Sequence, residues 1–251
     1  MSEPMIKMVA ERWQAVAAGG TVAGVAGVRP VPALMSPGAA ELSLHVEPEW
    51  RRRGIGSRLL TAVREQSTGL GLLAGVAEGS PGEAFCRRHG FRHTRSQRHD
   101  LLTYCDVHQA WLGELVDAEH PGYRLTHWTG DLNGTPRVDE LWRTPSRPGR
   151  ALLTAADADG DLAAYAVAVV GALAEPRARQ YGPAVLPGHR GRRLGLWVNA
   201  GLIQRLREVH PHVTEIEAAT AEDDHQLLAA REHFGFRPVG RTHLYELWNE
   251  S

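Results

Sequence analysis

Hydrophobic and polar positions alternate in short runs along most of the chain, and twice the period changes to a helical one. Glu41-Leu42-Ser43-Leu44-His45-Val46 alternates with a period of two, as a half-buried strand does. Just beyond it, Ile55, Leu59, Leu60 and Val63 recur at helical spacing. The run Leu72–Ala77 then predicts a short apolar strand, Glu83–Arg88 a short helix and Phe91–Ser96 a final strand. Upstream, Trp13–Ala18 and Val22–Val28 flank Gly19-Gly20 and predict a hairpin. The second half of the chain repeats this order. Ala151–Ala156 and Leu162–Val170 flank Asp159-Gly160. Leu194, Leu196, Val198, Leu202, Ile203 and Leu206 then mark a helix. Val213–Ala219, Asp224–His233 and Phe236–Leu244 predict strand, helix and strand.

The repetition extends to particular residues. Val46-Glu47-Pro48-Glu49-Trp50-Arg51-Arg52-Arg53-Gly54-Ile55-Gly56 shares Val, Pro, two Arg and the final Gly with Val185-Leu186-Pro187-Gly188-His189-Arg190-Gly191-Arg192-Arg193-Leu194-Gly195, 139 residues later. Gly90-Phe91-Arg92 recurs as Gly235-Phe236-Arg237, 145 residues later. Two coincidences in the same order indicate a tandem repeat of whole domains. The expected domains are residues 1–108 and 120–251, with Glu119-His120-Pro121-Gly122 as a linker end. The first is expected to be abbreviated at its start. The second has an extra stretch, Tyr123–Arg143, long enough for a strand and a helix, before the loop Thr144–Gly149.

Composition narrows the class. The chain has 251 residues, 43% hydrophobic and 23% charged, with a formal net charge of -1, which excludes a disordered chain and disfavours non-specific nucleic-acid binding. No apolar run approaches a membrane span, and MSEPMIKMVAERW has no signal-peptide core, so a cytoplasmic protein without membrane or nucleic-acid partners is expected. Cys86 and Cys105 are too few for a disulfide framework or a four-cysteine zinc site, and the scattered histidines lack a third ligand for His210 and His212, so no metal is expected. Lys7 is the only lysine. A codon bias is the expected source of much of the arginine excess, but Arg51–Arg53 and Arg190–Arg193 are clusters.

A strand ending near proline, an Arg/Gly loop and then a helix make an anion site, because the first helical N–H groups have no internal partner. Glycine lets a phosphate approach the backbone. The loop is neither a Walker loop nor a Rossmann fingerprint, since Gly-Lys-Ser/Thr and Gly-x-Gly-x-x-Gly are both missing.

Arg51-x-x-Gly54-x-Gly56, with Val-x-Pro before it and Phe85-Cys86-Arg87-Arg88-His89-Gly90-Phe91 after it, resembles the GNAT acyltransferase superfamily, and the repeat resembles its tandem-domain members. The resemblance implies two tandem α+β domains, each a mixed, mostly antiparallel sheet flanked by helices. It implies acetyl-CoA or another acyl-CoA, held by Leu44, Val46, Arg51, Arg52, Arg53, Gly54, Ile55, Gly56 and Ser57 in the first copy. In the second copy the corresponding residues are Val185, Arg190, Gly191, Arg192, Arg193, Leu194, Gly195 and Leu196, with Asp224 either a coenzyme contact or a helix N-cap. Arg193 departs from the pattern by replacing the first glycine.

The implied reaction is direct acyl transfer to a small-molecule amine, which needs a base for the amine and an acid for the thiolate. In the family a tyrosine four residues before the second-motif glycine serves as the acid; here Cys86 and Arg231 stand there. A thiol can donate a proton and an arginine cannot. Cys86 is therefore the candidate acid, with a small core residue as the alternative. Candidate bases are Glu41 and His45, which share a strand face with Ser43, and in the second half Tyr181 and Glu217, with Glu215 beside it. The reading leans slightly towards catalysis in the second half. Its alternatives are a non-catalytic acyl-CoA-binding scaffold and an enzyme that takes its acyl group from an acyl carrier protein. A monomer with internal pseudo-symmetry and a homodimer are both compatible with the repeat.

Overall fold

The computed structural model describes residues 4–9, 12–31, 38–67, 69–132, 138–171 and 175–248. In chain order the elements are β1 (Met5–Val9), β2 (Arg12–Val16), β3 (Val22–Pro30), β4 (Ala39–Val46), α1 (Ile55–Gln66), β5 (Gly71–Val76), α2 (Pro81–Arg88) and β6 (Arg92–Thr103). There follow α3 (Gln109–Asp117), β7 (Arg124–Gly130), α4 (Val138–Arg143), β8 (Ala151–Ala158), β9 (Asp161–Val170), β10 (Arg177–Val185), α5 (Leu194–Val209), β11 (Glu215–Ala221), α6 (His225–Phe234) and β12 (Arg237–Leu247).

The chain divides into two compact units. Unit one comprises Met1–Arg95 and His243–Ser251, and unit two comprises Ser96–Thr242. A single cut between residues 108 and 120 does not describe this division, because each unit is completed by a strand from the far side of that cut. In unit one the strands run β1-β2-β3-β4-β5-β12. All neighbours are antiparallel except the parallel pair β4/β5. In unit two the order is β7-β8-β9-β10-β11-β6, again antiparallel except for β10/β11. The strands of the two units thus follow one topology.

Local sequence accounts for most of these elements. Asp159 (φ 52°) and Gly160 (φ 91°) both take left-handed conformations between β8 and β9, as a tight two-residue hairpin turn requires. Helix α1 buries Ile55, Leu59, Leu60 and Val63 on one face against Ala15, Ala23, Ala26, Leu42 and Leu72. Each such side chain contributes about 1.5–3 kcal/mol of burial. In unit two, α5 packs Leu202, Ile203 and Leu206 against alanines 164, 166, 168 and 178.

Two elements lie where none was expected. Helix α3 occupies the stretch read as linker, with His108 as its N-cap accepting from Trp111 N–H at 3.2 Å and Leu112 buried. Strand β1 lies in the short stretch before the first hairpin.

Unit one is locked to its last strand by a buried hydroxyl. Tyr245 of β12, 1% exposed, donates to Glu83 Oε1 at 2.8 Å and accepts from Arg87 Nε at 3.1 Å. Glu83 also accepts from Gly79 N–H at 2.6 Å and from Arg87 Nη2 at 2.7 Å. The Gly79 and Tyr245 hydrogen bonds hold its carboxyl below the usual range.

Candidate functional site

In unit one, β4 runs through Val46 into a short 3-10 turn at Pro48–Trp50 and then the Arg/Gly loop. Arg51 Nε donates to Val46 O at 2.9 Å and pins the strand end, while the Arg53 guanidinium lies 5.0 Å from the Trp50 ring centre. Arg52 (φ 64°) and Gly54 (φ 76°) are both left-handed. Gly54 precedes α1, and no side chain caps that helix. The amides of Ile55, Gly56 and Ser57 therefore begin the helix without an internal acceptor. A Cβ at Gly54 would meet nothing within 4 Å, whereas one at Gly56 would meet Phe85 Cε2 at 3.1 Å and Leu44 Cδ2 at 3.7 Å. Ser57 Oγ lies 3.0 Å from His89 Nε2, and burial together with Arg88 and Arg64 pulls that imidazole below its ordinary pKa.

The second loop follows the same backbone path. Here the left-handed residues are Gly191 (φ 76°) and Arg193 (φ 60°), each 139 positions after its counterpart. Arg193 stands directly before α5, again with no side-chain cap. Leu194 is buried, Leu196 and Val185 are half-buried, and a Cβ at Gly195 would meet Val185 Cγ2 at 3.3 Å. The loop's side chains are engaged from within unit two. Arg192 Nη1 donates to Tyr123 Oη at 2.6 Å, and Tyr123 Oη is 3.0 Å from His189 Nδ1. His120 stacks on Trp197 with centroids 4.3 Å apart. Arg190 is exposed at the end of the preceding turn.

Behind each loop the parallel strands part. The β4/β5 register ends at Glu41 and Leu73, while β4 continues to Val46 and β5 to Val76. Half-buried Leu44, Val46, Val76 and Phe85 border this fork, so its wall is apolar. The β10/β11 register ends at Gln180 and Ala218, and β10 is irregular between Tyr181 and Ala184. Here Arg231 of α6, 1% exposed, donates from Nη2 to Gly182 O at 3.0 Å, and burial draws its pKa down to about 10.

The candidate acids and bases are spread over these positions. Cys86, 3% exposed, lies within the unit-one core, and burial with the Glu83 charge pushes its thiol up to about 11. It has the surroundings of the core residue offered as the alternative. Asp224 Oδ1 accepts from Leu227 N–H at 3.0 Å and caps α6. Glu41, Ser43 and His45 share the outer face of β4; Glu41 lies 3.4 Å from Arg29 Nη2 and exposed His45 lies 3.7 Å from Glu47. In unit two, Glu217 lies 3.4 Å from His99 Nδ1 and 3.7 Å from Arg177 Nη1. Hydrogen bonding to His99, then Arg179, hold its carboxyl below the usual range against burial. His99 Nε2 in turn meets Thr242 Oγ1 at 2.8 Å. Tyr181 is half-buried in the irregular segment of β10. Sequence reasoning passed over His99, because only the β6/β11 register brings it beside Glu217.

Residues 9–93 match the model of the acetyltransferase (GNAT) domain. The solved structures similar to this chain include a tandem GNAT protein from the clavulanic acid biosynthesis pathway. It is 25% identical, with 94% of this chain and 82% of that chain covered and a TM-score of 0.63. A GCN5-related N-acetyltransferase-like protein from Streptococcus suis is 12% identical, with 98% of this chain and 88% of that chain covered and a TM-score of 0.62. A GCN5-related N-acetyltransferase from Sphaerobacter thermophilus is 18% identical, with 94% and 80% covered and a TM-score of 0.54. No curated protein matches significantly. No helix among the described residues is long and apolar enough to cross a membrane.

Proposed function

From the match of residues 9–93 to the acetyltransferase (GNAT) domain and the likeness of the whole fold to a tandem GNAT protein, we propose that this chain transfers an acyl group, acetyl in the simplest case, from acyl-CoA to the amine of a small molecule. The observation that carries this reading is the bare start of α1. Three amides without internal acceptors begin the helix, a Cβ at Gly54 would meet open space, and an apolar fork lies behind. That combination suits a pyrophosphate joined to a thin, largely apolar arm. The clavulanic acid pathway relative supports a small-molecule acceptor.

The chemistry of the donor is that of a thioester, whose carbonyl carbon accepts an amine. The C–N bond forms as the C–S bond breaks, the amine loses a proton and the thiolate leaves. This chain's residues hold and orient. The amides of Ile55, Gly56 and Ser57 anchor the anion, with Arg51 and Arg52 on the exposed rim. Leu44 and Val46 line the arm's path. His45 and Glu41, on the outer face of β4, are the unit-one candidates for receiving the amine proton. Cys86 lies in the core, so the thiolate takes its proton from solvent in this scheme.

The test is coenzyme A release from acetyl-CoA across a panel of primary amines. Turnover on at least one amine is expected. Calorimetric binding of acetyl-CoA with no turnover on any amine would favour a non-catalytic acyl-CoA-binding protein instead. The exposed rim Arg51–Arg53 also suits an acidic carrier protein. Turnover of a carrier-bound thioester but of no free acyl-CoA would move the proposal to that donor.

A further inference from the structure

The two forks differ in what fills them. In unit two, the Arg231 guanidinium lies across the point where β10 has left β11, on the carbonyl of Gly182. Its Nε and Nη1 have no hydrogen-bond partner. Beside it are Asp100, fully buried, and Arg98, whose Nε is 2.8 Å from Asp100 Oδ1 and whose Nη1 is 2.8 Å from Glu232 Oε1. Gln180 Oε1 and Thr220 Oγ1 are buried and unpartnered in the same layer, since the register aligns Gln180 with Ala218 and Asp100, and Thr220 with Arg98. All the buried unpartnered side-chain atoms among the described residues belong to unit two. In unit one, the position corresponding to Arg231 is the small thiol Cys86, and the fork is walled by Leu44, Val46, Val76 and Phe85.

We propose that Arg231 closes the unit-two fork from within, so that the chain takes up one acyl-CoA, in unit one. This deepens the acyl-CoA reading above and rests on it. An arm carrying amide groups enters a strand fork by adding to the open strand edge, and it needs free backbone acceptors there. Arg231 already holds the Gly182 acceptor with a charged hydrogen bond. Withdrawing the guanidinium would leave that charge to find a new buried partner, because an arginine cannot shed its proton near neutrality. The polar lining of Gln180, Thr220 and Asp100 is also a poor surface for methylene groups. The second loop retains its helix start but has lost the passage behind it. Arg231 is thus a specificity-determining residue that decides which of two similar units accepts the donor.

The experiment is calorimetric titration of the full chain with coenzyme A, joined to backbone hydrogen exchange with and without ligand. One equivalent is expected, with protection at residues 42–46 and 52–57 and none at 182–196. Arg231→Ala is expected to add a second equivalent, and Gly56→Trp to remove the first. Protection at 182–196 in the unaltered chain, two equivalents without substitution, or a stoichiometry still at one after Arg231→Ala would each overturn the plug. No binding at all would instead refute the acyl-CoA reading beneath it. Hydrogen exchange on the unaltered chain decides the matter even if a variant does not fold.

Discussion

At the two Arg/Gly loops one backbone path is carried by different side chains. Both loops need left-handed residues two and four positions before the conserved helix glycine. The first places glycine two positions before it, at Gly54, and arginine four positions before it, at Arg52. The second reverses the assignment, with Gly191 and Arg193. A shared path with exchanged glycines shows that the turn is set by the strand before it and the helix after it. Leu44 and Phe85 press on Gly56 as Val185 and Pro183 press on Gly195. A signature that demands glycine at one position therefore undervalues the second loop. What separates the units lies behind the loops, in an apolar fork beside Cys86 and a polar one closed by Arg231.

The largest effect expected from breaking this comparison is at Gly56. Gly56→Trp should lower acyl transfer on the order of 100-fold or more, since displacement of the reacting group by about 1 Å has that scale. The coenzyme A release assay reads it. Unchanged turnover in a folded Gly56→Trp protein would move the donor site out of unit one.

Next comes the strand that completes unit one. Tyr245→Phe removes a hydroxyl that both donates to Glu83 and accepts from Arg87. A loss of about 1–3 kcal/mol in urea unfolding is expected. A loss within experimental error would mean that Gly79 and Arg87 alone satisfy Glu83.

The glycine exchange itself gives a smaller, signed test. Arg193→Gly relieves a left-handed arginine and should stabilise the chain by about 1 kcal/mol, whereas Gly54→Arg should cost a similar amount. Equal signs for the two substitutions would show that backbone conformation is not what distinguishes the loops.

The smallest effect concerns pH. The folded pKa of Glu217 is depressed, mainly by its hydrogen bond to His99. Its contribution is therefore fully present above the unfolded carboxyl pKa of about 4.3 and is lost as pH falls through the lower folded value. Glu217→Gln should flatten the acid side of the stability profile by less than about 1 kcal/mol. A loss of stability that is the same at acid and neutral pH would assign Glu217 a packing role only.

Much of the fold was legible because its elements are local. Periodicity located β4, α1 and α5, Asp159-Gly160 marked its turn, and the repeat announced two units of one topology. Helix α3 was hidden because His108 is an unusual cap, and because the proline and glycine at 121 and 122 drew attention as a linker. The loops were legible as strand-to-helix turns because a helix start advertises itself in glycine and arginine spacing. Their surroundings were not. His99 is over one hundred residues from Glu217 in sequence, and Arg231 is nearly fifty from Gly182.

By itself the sequence determined the tandem repeat, most of the strands and helices in each half, and the two loops, all of which follow from short-range spacing and backbone preference. Tertiary structure alone decided which strand completes each unit. It also set Cys86 in the core, paired Glu217 with His99 and laid Arg231 across a fork. Those outcomes depend on register and burial between segments far apart in the chain, where no local pattern carries the information.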